Sequence, residues 1–151
     1  MTSIEIGGGT LVQRGWVNLD PRHGAGEWKR EAQDTPWPTG DNTVTAIRAS
    51  HVMEHIPKLS GARIDVMNEA HRVLKPGAVF EIIVPVFRTD GRHLTWEPIA
   101  DPTHVSDWCW ESFHYFDGTF AANADYGMSM WTTVSQEWTG DAIVTWRGTP
   151  R

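Results

Sequence analysis

Cysteine is almost missing from this chain: Cys109 is the single one in 151 residues. An internal disulfide framework and a multi-cysteine zinc site are both excluded. Long apolar runs are missing too, so no segment is expected to span a bilayer. The opening residues, MTSIEIGGG, have neither the basic nor the apolar stretch of a secretory signal. The expectation is a soluble cytoplasmic protein. Positive charge is in deficit, with 13 Lys+Arg against 19 Asp+Glu and a formal charge of -6. An extensive nucleic-acid footprint is therefore not expected. The length suits one compact domain over residues 1–151.

Tryptophan is in excess, with nine in the chain and six of them beyond residue 90. Trp suits edges, ligand faces and interfaces. Two uses stay open: filling and capping a small core, or building an aromatic subunit interface or substrate platform.

Alternation marks Ile4–Ile6 as a strand running into Gly7-Gly8-Gly9, and Trp16–Asp20 as a second strand ended by Pro21. About ten residues separate them, too few for an ordinary crossover helix. At most one helical turn fits around Leu11 to Gln13. Residues 21–42 read as a loop with a short turn near Glu27 to Ala32, and Thr43–Ala49 as a strand. Ser60–Leu74 has apolar residues at helical spacing and is predicted to stop at Lys75-Pro76-Gly77. Val79–Val84 reads as a strand covered on both faces. Residues 86–125 are irregular, with a short helix from Asp107 to Tyr115. Met128–Glu137 and Ala142–Arg147 form a terminal hairpin. The order predicts an α/β fold with an antiparallel edge.

A glycine run after a first strand admits close backbone approach by a ligand. Asp20, at the end of the next strand, has the carboxylate that can take both hydroxyls of a ribose. No Walker-type phosphate loop is present. Asp34 could accept from a base amino group, with Trp37 stacking or simply packing. His51 and His55 share a face if residues 51–56 are helical. The HxxEH spacing differs from HExxH, so no metal ligand is assigned. His51, His55, Asp101 and His104 could together make a base, a substrate clamp or a metal site. His71 and Cys109 read as packing residues.

The segments Glu5–Gly9, Gly15–Asp20, His51–Ile56 (HVMEHI) and Glu69–Gly77 (EAHRVLKPG) resemble the class I, Rossmann-like S-adenosylmethionine-dependent methyltransferases. Within that family they are most similar to small domains with HVxEHI and RVLKPG motifs. The resemblance covers roughly residues 3–86, and ADPTHV adds to it beyond. It implies a minimal Rossmann-like methyltransferase fold: a mostly parallel sheet, a C-terminal antiparallel hairpin and reduced covering helices. It implies S-adenosylmethionine as cofactor, with Gly7, Gly8 and Gly9 beneath its methionine part and Glu5 supporting that loop. Asp20 would hold the ribose, Asp34 and Thr35 would lie beside the adenine, and Ser50 would face the cofactor. His51 is the first choice for a catalytic base and His104 the second, with His55 and Asp101 orienting whichever acts.

The implied function is methyl transfer to a small-molecule, sugar or nucleotide acceptor. No Asn-Pro-Pro-Tyr-type motif follows the third strand, which favours an oxygen or carbon acceptor. The chain departs from the family at Leu11, where a third glycine is usual, and in its missing helices, including the one before the first strand. A catalytically inactive binding or structural subunit is the alternative, and a metal-assisted enzyme using the His/Asp cluster a further one. Lost helices uncover sheet, so a homo-oligomer is expected through the exposed sheet or the Trp-rich C-terminal part.

Overall fold

The computed structural model describes residues 2–23, 28–88, 97–120 and 125–151. Trp96, the Glu27 end of the expected turn and parts of the 86–125 segment lie outside the described residues. Six strands form one sheet: β1 (Thr2–Ile6), β2 (Val17–Leu19), β3 (Val44–Ser50), β4 (Leu74–Pro85), β5 (Trp131–Trp138) and β6 (Ile143–Pro150). Their order across the sheet is β2-β1-β3-β4-β6-β5. The first four run parallel, and β6 lies antiparallel to both β4 and β5. This is the expected α/β architecture with its terminal hairpin.

Helix α1 (Ala62–Val73) joins β3 to β4. Its predicted stop needs correcting. Leu74 already pairs with Val44, so β4 begins before the breakers rather than at Val79. The next pair is Ala46 with Val79, and the intervening residues bulge out through Gly77 at φ 79. Leu74 is fully buried, and that burial draws it straight into the sheet. The single helical turn allowed around Leu11 does not form. Residues 7–16 are a loop closed by turns, with Leu11 donating to the Gly8 carbonyl and Trp16 to that of Gln13. Leu11 is 89% exposed, so nothing apolar anchors a helix there. The helix expected from Asp107 to Tyr115 is a 3-10 turn at Trp110–Phe113 followed by α3 (His114–Asp117). A further short helix, α2 (Glu97–Ala100), precedes it.

Strand register separates the two sheet faces. Ile4, Ile47 and Phe80 stand side by side across three strands, as do Ile6, Ala49, Ile82 and Trp146 across four. Val66, Met67, Ala70 and Val73 of α1 join these residues in one buried cluster. Trp108, Phe113 and Trp146 extend it beyond the helix, with Phe113 stacked on Trp146 at 5.2 Å between ring centroids. Of the eight described tryptophans, Trp37, Trp108, Trp131 and Trp146 are at most 2% exposed. The opposite face is polar. Glu5, Arg48, Glu81 and Arg147 are register partners across four strands. Consecutive charges lie 3.9, 3.4 and 2.7 Å apart, and Arg147 reaches on to Glu137 of β5 at 2.7 Å.

Candidate functional site

From β1 the chain passes to β2 on one side, and from β3 it passes to β4 on the other. The carboxyl ends of β1 and β3 therefore flank the point where the strand order reverses, the usual ligand crevice of such sheets. Gly7 and Gly9 turn there at φ 63 and 56. A side chain at Gly7 would collide with Val52, so the glycine loop and the residues after β3 are direct neighbours. At Gly8 an added carbon would sit 2.7 Å from Glu5 Cγ, which places Glu5 against this loop. Gly9 faces open space, with nothing within 4 Å of where its side chain would stand.

Two side chains from the end of β2 strap the loop. Asn18 accepts from the Gly8 amide and donates to the Gly9 carbonyl, both at 3.1 Å. Asp20 accepts from the amides of Gly9, Arg22 and His23 at 3.0, 2.8 and 2.9 Å. Burial by itself would push the Asp20 carboxyl up, but these amides outweigh it and hold the group below its ordinary range. Glu5 moves the other way: it is 4% exposed, and burial raises it against the opposing Arg48 charge. Trp28 adds a one-residue parallel bridge beside Leu19, a contact the sequence reading missed.

Ser50 ends β3, and His51 follows at φ 54, an unusual conformation for a side-chain-bearing residue. Only Met53–His55 are helical, as a 3-10 turn, so the shared helical face expected of His51 and His55 does not exist. Glu54 joins them instead. It is 2% exposed, and its Oε1 lies 3.5 Å from His51 Nδ1. Burial raises its carboxyl above the ordinary range, opposed by its own backbone amide and by His51, His55 and His104. His55 and His104 meet edge to face at 4.9 Å between ring centroids. Asp101 lies 3.7 Å from His104 and takes two hydrogen bonds from Thr103, which lower its carboxyl. Glu54 was passed over because no spacing rule singles out the Glu of HVMEHI. A carboxylate flanked by two histidines, in a segment that must pack, was the available signal.

Asp34 and Thr35 are exposed in the loop before β3. The Asp34 carboxylate accepts from the Glu31 amide at 3.3 Å. Trp37 packs rather than stacks: it is 2% exposed, with its indole N–H on the Ala32 carbonyl. His71 holds the Met130 carbonyl at 3.0 Å beside Trp131. Cys109 lies 3.4 Å from the Ser112 hydroxyl.

A cavity of about 440 Å³ opens beside His51, lined also by Pro85, His104, Asp141, Ala142 and Ile143. A larger one, about 540 Å³, lies between the start of α1 and the 107–116 segment, under Arg63, Trp108 and Tyr115. Size favours the second. Position favours the first, because it adjoins the strand ends and holds two histidines of the cluster.

No protein-family model matches the sequence, and no curated protein matches it either. Solved structures do match. The PH0226 protein from Pyrococcus horikoshii is 13% identical with a TM-score of 0.63, over 99% of this chain and 82% of that one. A SAM-dependent methyltransferase from Aquifex aeolicus is 14% identical with a TM-score of 0.58, over 100% and 82%. A 16S rRNA adenine methyltransferase variant from Catenulisporales acidiphilia is 14% identical with a TM-score of 0.58, over 99% and 86%. At these identities the likeness is one of fold, and the chain has a reduced Rossmann-like methyltransferase fold.

Proposed function

We propose that the chain binds S-adenosylmethionine at the glycine loop and transfers a methyl group to a small acceptor seated beside His51. One observation carries this reading: the strapped glycine loop at the strand-order reversal is a direct neighbour of Val52, and His51, the residue before Val52, lines a cavity. The open space over Gly9 fits the cofactor, because a side chain there would occupy the ligand's place. In this reading Gly7, Gly8 and Gly9 lie under the methionine part, Glu5 supports them, and Asp20 holds the ribose hydroxyls. Asp34 and Thr35 lie beside the adenine, and Ser50 faces the cofactor. The group supplies a methyl carbon on a sulfonium sulfur, ready for in-line displacement. The protein aligns the acceptor and excludes water.

For a hydroxyl acceptor, His51 takes the proton at Nε2 while Glu54, close to Nδ1, orients the ring and offsets the imidazolium charge. The unusual His51 backbone supports a functional constraint there. An oxygen or carbon acceptor remains favoured. His104, backed by Asp101, is the second candidate base, and His55 a positioning residue.

Titration calorimetry with S-adenosylmethionine tests this directly, and an absence of both heat and thermal shift overturns it. Asp20→Ala is expected to weaken binding about 10- to 100-fold, the loss of charge-assisted hydrogen bonds. An unchanged affinity refutes the ribose assignment. A second reading, a catalytically inactive binding or structural subunit, is supported by Leu11, which stands exposed where a third glycine is usual. Binding without methyl transfer to any of a panel of hydroxylated acceptors would favour it. A homo-oligomer, through the exposed sheet or the Trp-rich C-terminal part, is part of the proposal. Light scattering that returns the 17.0 kDa monomer removes it.

A further inference from the structure

We propose that Glu54, His55 and His104 form a binding site for a divalent first-row transition cation, with zinc(II) the best fit. Each residue brings a ligand-type atom within 4.8 Å of the other two. Two come from the 3-10 turn after β3 and the third from the segment after α2, so no sequence motif announces them.

In both imidazoles Nδ1 is engaged by a backbone carbonyl, which leaves Nε2 as the nitrogen for a metal. His55 Nδ1 lies 3.1 Å from the Thr103 carbonyl, and His104 Nδ1 lies 2.9 Å from the Pro98 carbonyl. A carbonyl can only accept, so each Nδ1 carries a proton, and in the neutral ring Nε2 keeps the lone pair that a metal takes. Backbone carbonyls behind the ligating imidazoles are the common outer shell of zinc sites. The third donor is independent of this. Glu54 Oε2 is buried and has no hydrogen-bond partner, while its other oxygen is the one near His51. A buried carboxylate oxygen without a partner is costly, and a cation among these lone pairs would satisfy it.

The frame is held. The amides of Val105 and Ser106 donate to the Glu54 carbonyl at 2.9 and 3.0 Å, and the Ser106 hydroxyl donates to the Ile56 carbonyl. A tetrahedral site has ligand separations of roughly 3.3 Å, so atoms now within 4.8 Å of one another would draw together around the cation. Two imidazoles and one carboxylate suit zinc(II), and a three-ligand set leaves one position for water or another ligand. Asp101, 3.7 Å from His104 Nε2, adds negative charge at the rim, and the exposed His55 gives an entry path. His104 also lines the cavity beside His51, so the cation would stand at its edge.

The full chain, stripped with a chelator and dialysed, is titrated with zinc chloride by calorimetry. One equivalent binding at micromolar affinity or tighter, with a raised Tm, is the expected result. His55→Ala and His104→Ala should each weaken it at least tenfold, and His114→Ala should leave it unchanged. His55 is exposed, so His55→Ala keeps the fold even if Glu54→Gln does not. Cobalt(II) loading should give visible d–d bands that are absent in His55→Ala. No binding at millimolar zinc, or wild-type affinity in His55→Ala, overturns the proposal.

Discussion

Gly7 and Gly9 share a left-handed backbone, but different neighbours keep them glycine. Gly7 is boxed in by Val52, whereas Gly9 faces open space. Gly7→Ala should therefore cost about 2–4 kcal/mol in urea unfolding, from strain plus overpacking. Gly9→Ala should cost about 1 kcal/mol, from strain alone. Equal losses would refute the packing argument. Asp20 ties the same loop through its charge. Its folded-state carboxyl lies below the ordinary value, so its contribution is complete above the unfolded pKa of about 3.9 and is lost as pH falls through the folded value. Thermal melts from pH 6 to pH 3 should show a shallower acid loss in Asp20→Asn than in the wild type. Glycines and carboxylate were readable as a pair in the chain. Asn18 was not, because a polar residue on a short strand signals nothing until its strand lies beside the loop.

At the scale of elements, α1 contributes more than an apolar stripe. Glu69 is 7% exposed and accepts from the Trp37 amide at 2.5 Å. Arg72 holds the same carboxylate through Nε and Nη2, and also reaches Asp41 and the Thr39 carbonyl. These bonds raise the Arg72 guanidinium further above its usual range. The pair fastens the 37–41 loop to the helix. Glu69→Ala leaves a buried amide unpaired and is expected to cost about 2–4 kcal/mol by chemical denaturation. A loss below about 0.5 kcal/mol would show that water replaces the carboxylate. The helix itself was legible from its periodicity. The fastening was not, since Trp37 and Glu69 are joined only across the fold. Four-residue spacing puts His51 and His55 on one face only if residues 51–56 are helical, and the chain forms a 3-10 turn over Met53–His55 with Met53 and Glu54 buried.

The whole molecule divides into a covered face and a charged one. Trp108, Phe113 and Trp146 join the core cluster beside α1. Half of the described tryptophans fill the interior rather than the surface. On the other face, Arg48 stands between Glu5 and Glu81. Arg48→Ala removes the cation opposing the burial of Glu5 and should cost about 1–2 kcal/mol near neutral pH. Glu5 already has a raised carboxyl, and the substitution raises it further. The deficit should therefore shrink as pH falls and Glu5 becomes protonated, and a pH-independent deficit would refute the ladder's role.

Local chemistry in the chain determined the strands, the one long helix, the glycine loop, Asp20 at the next strand end and the terminal hairpin. Each rests on periodicity, breakers or backbone freedom, which act between near neighbours. The tertiary structure alone decided that Glu54 gathers three histidines, that a cavity opens beside His51, and that charges alternate across five strands. Those features depend on register and on contacts between residues about fifty positions apart. Such contacts form only when burial brings distant segments together, and no spacing along the chain encodes them.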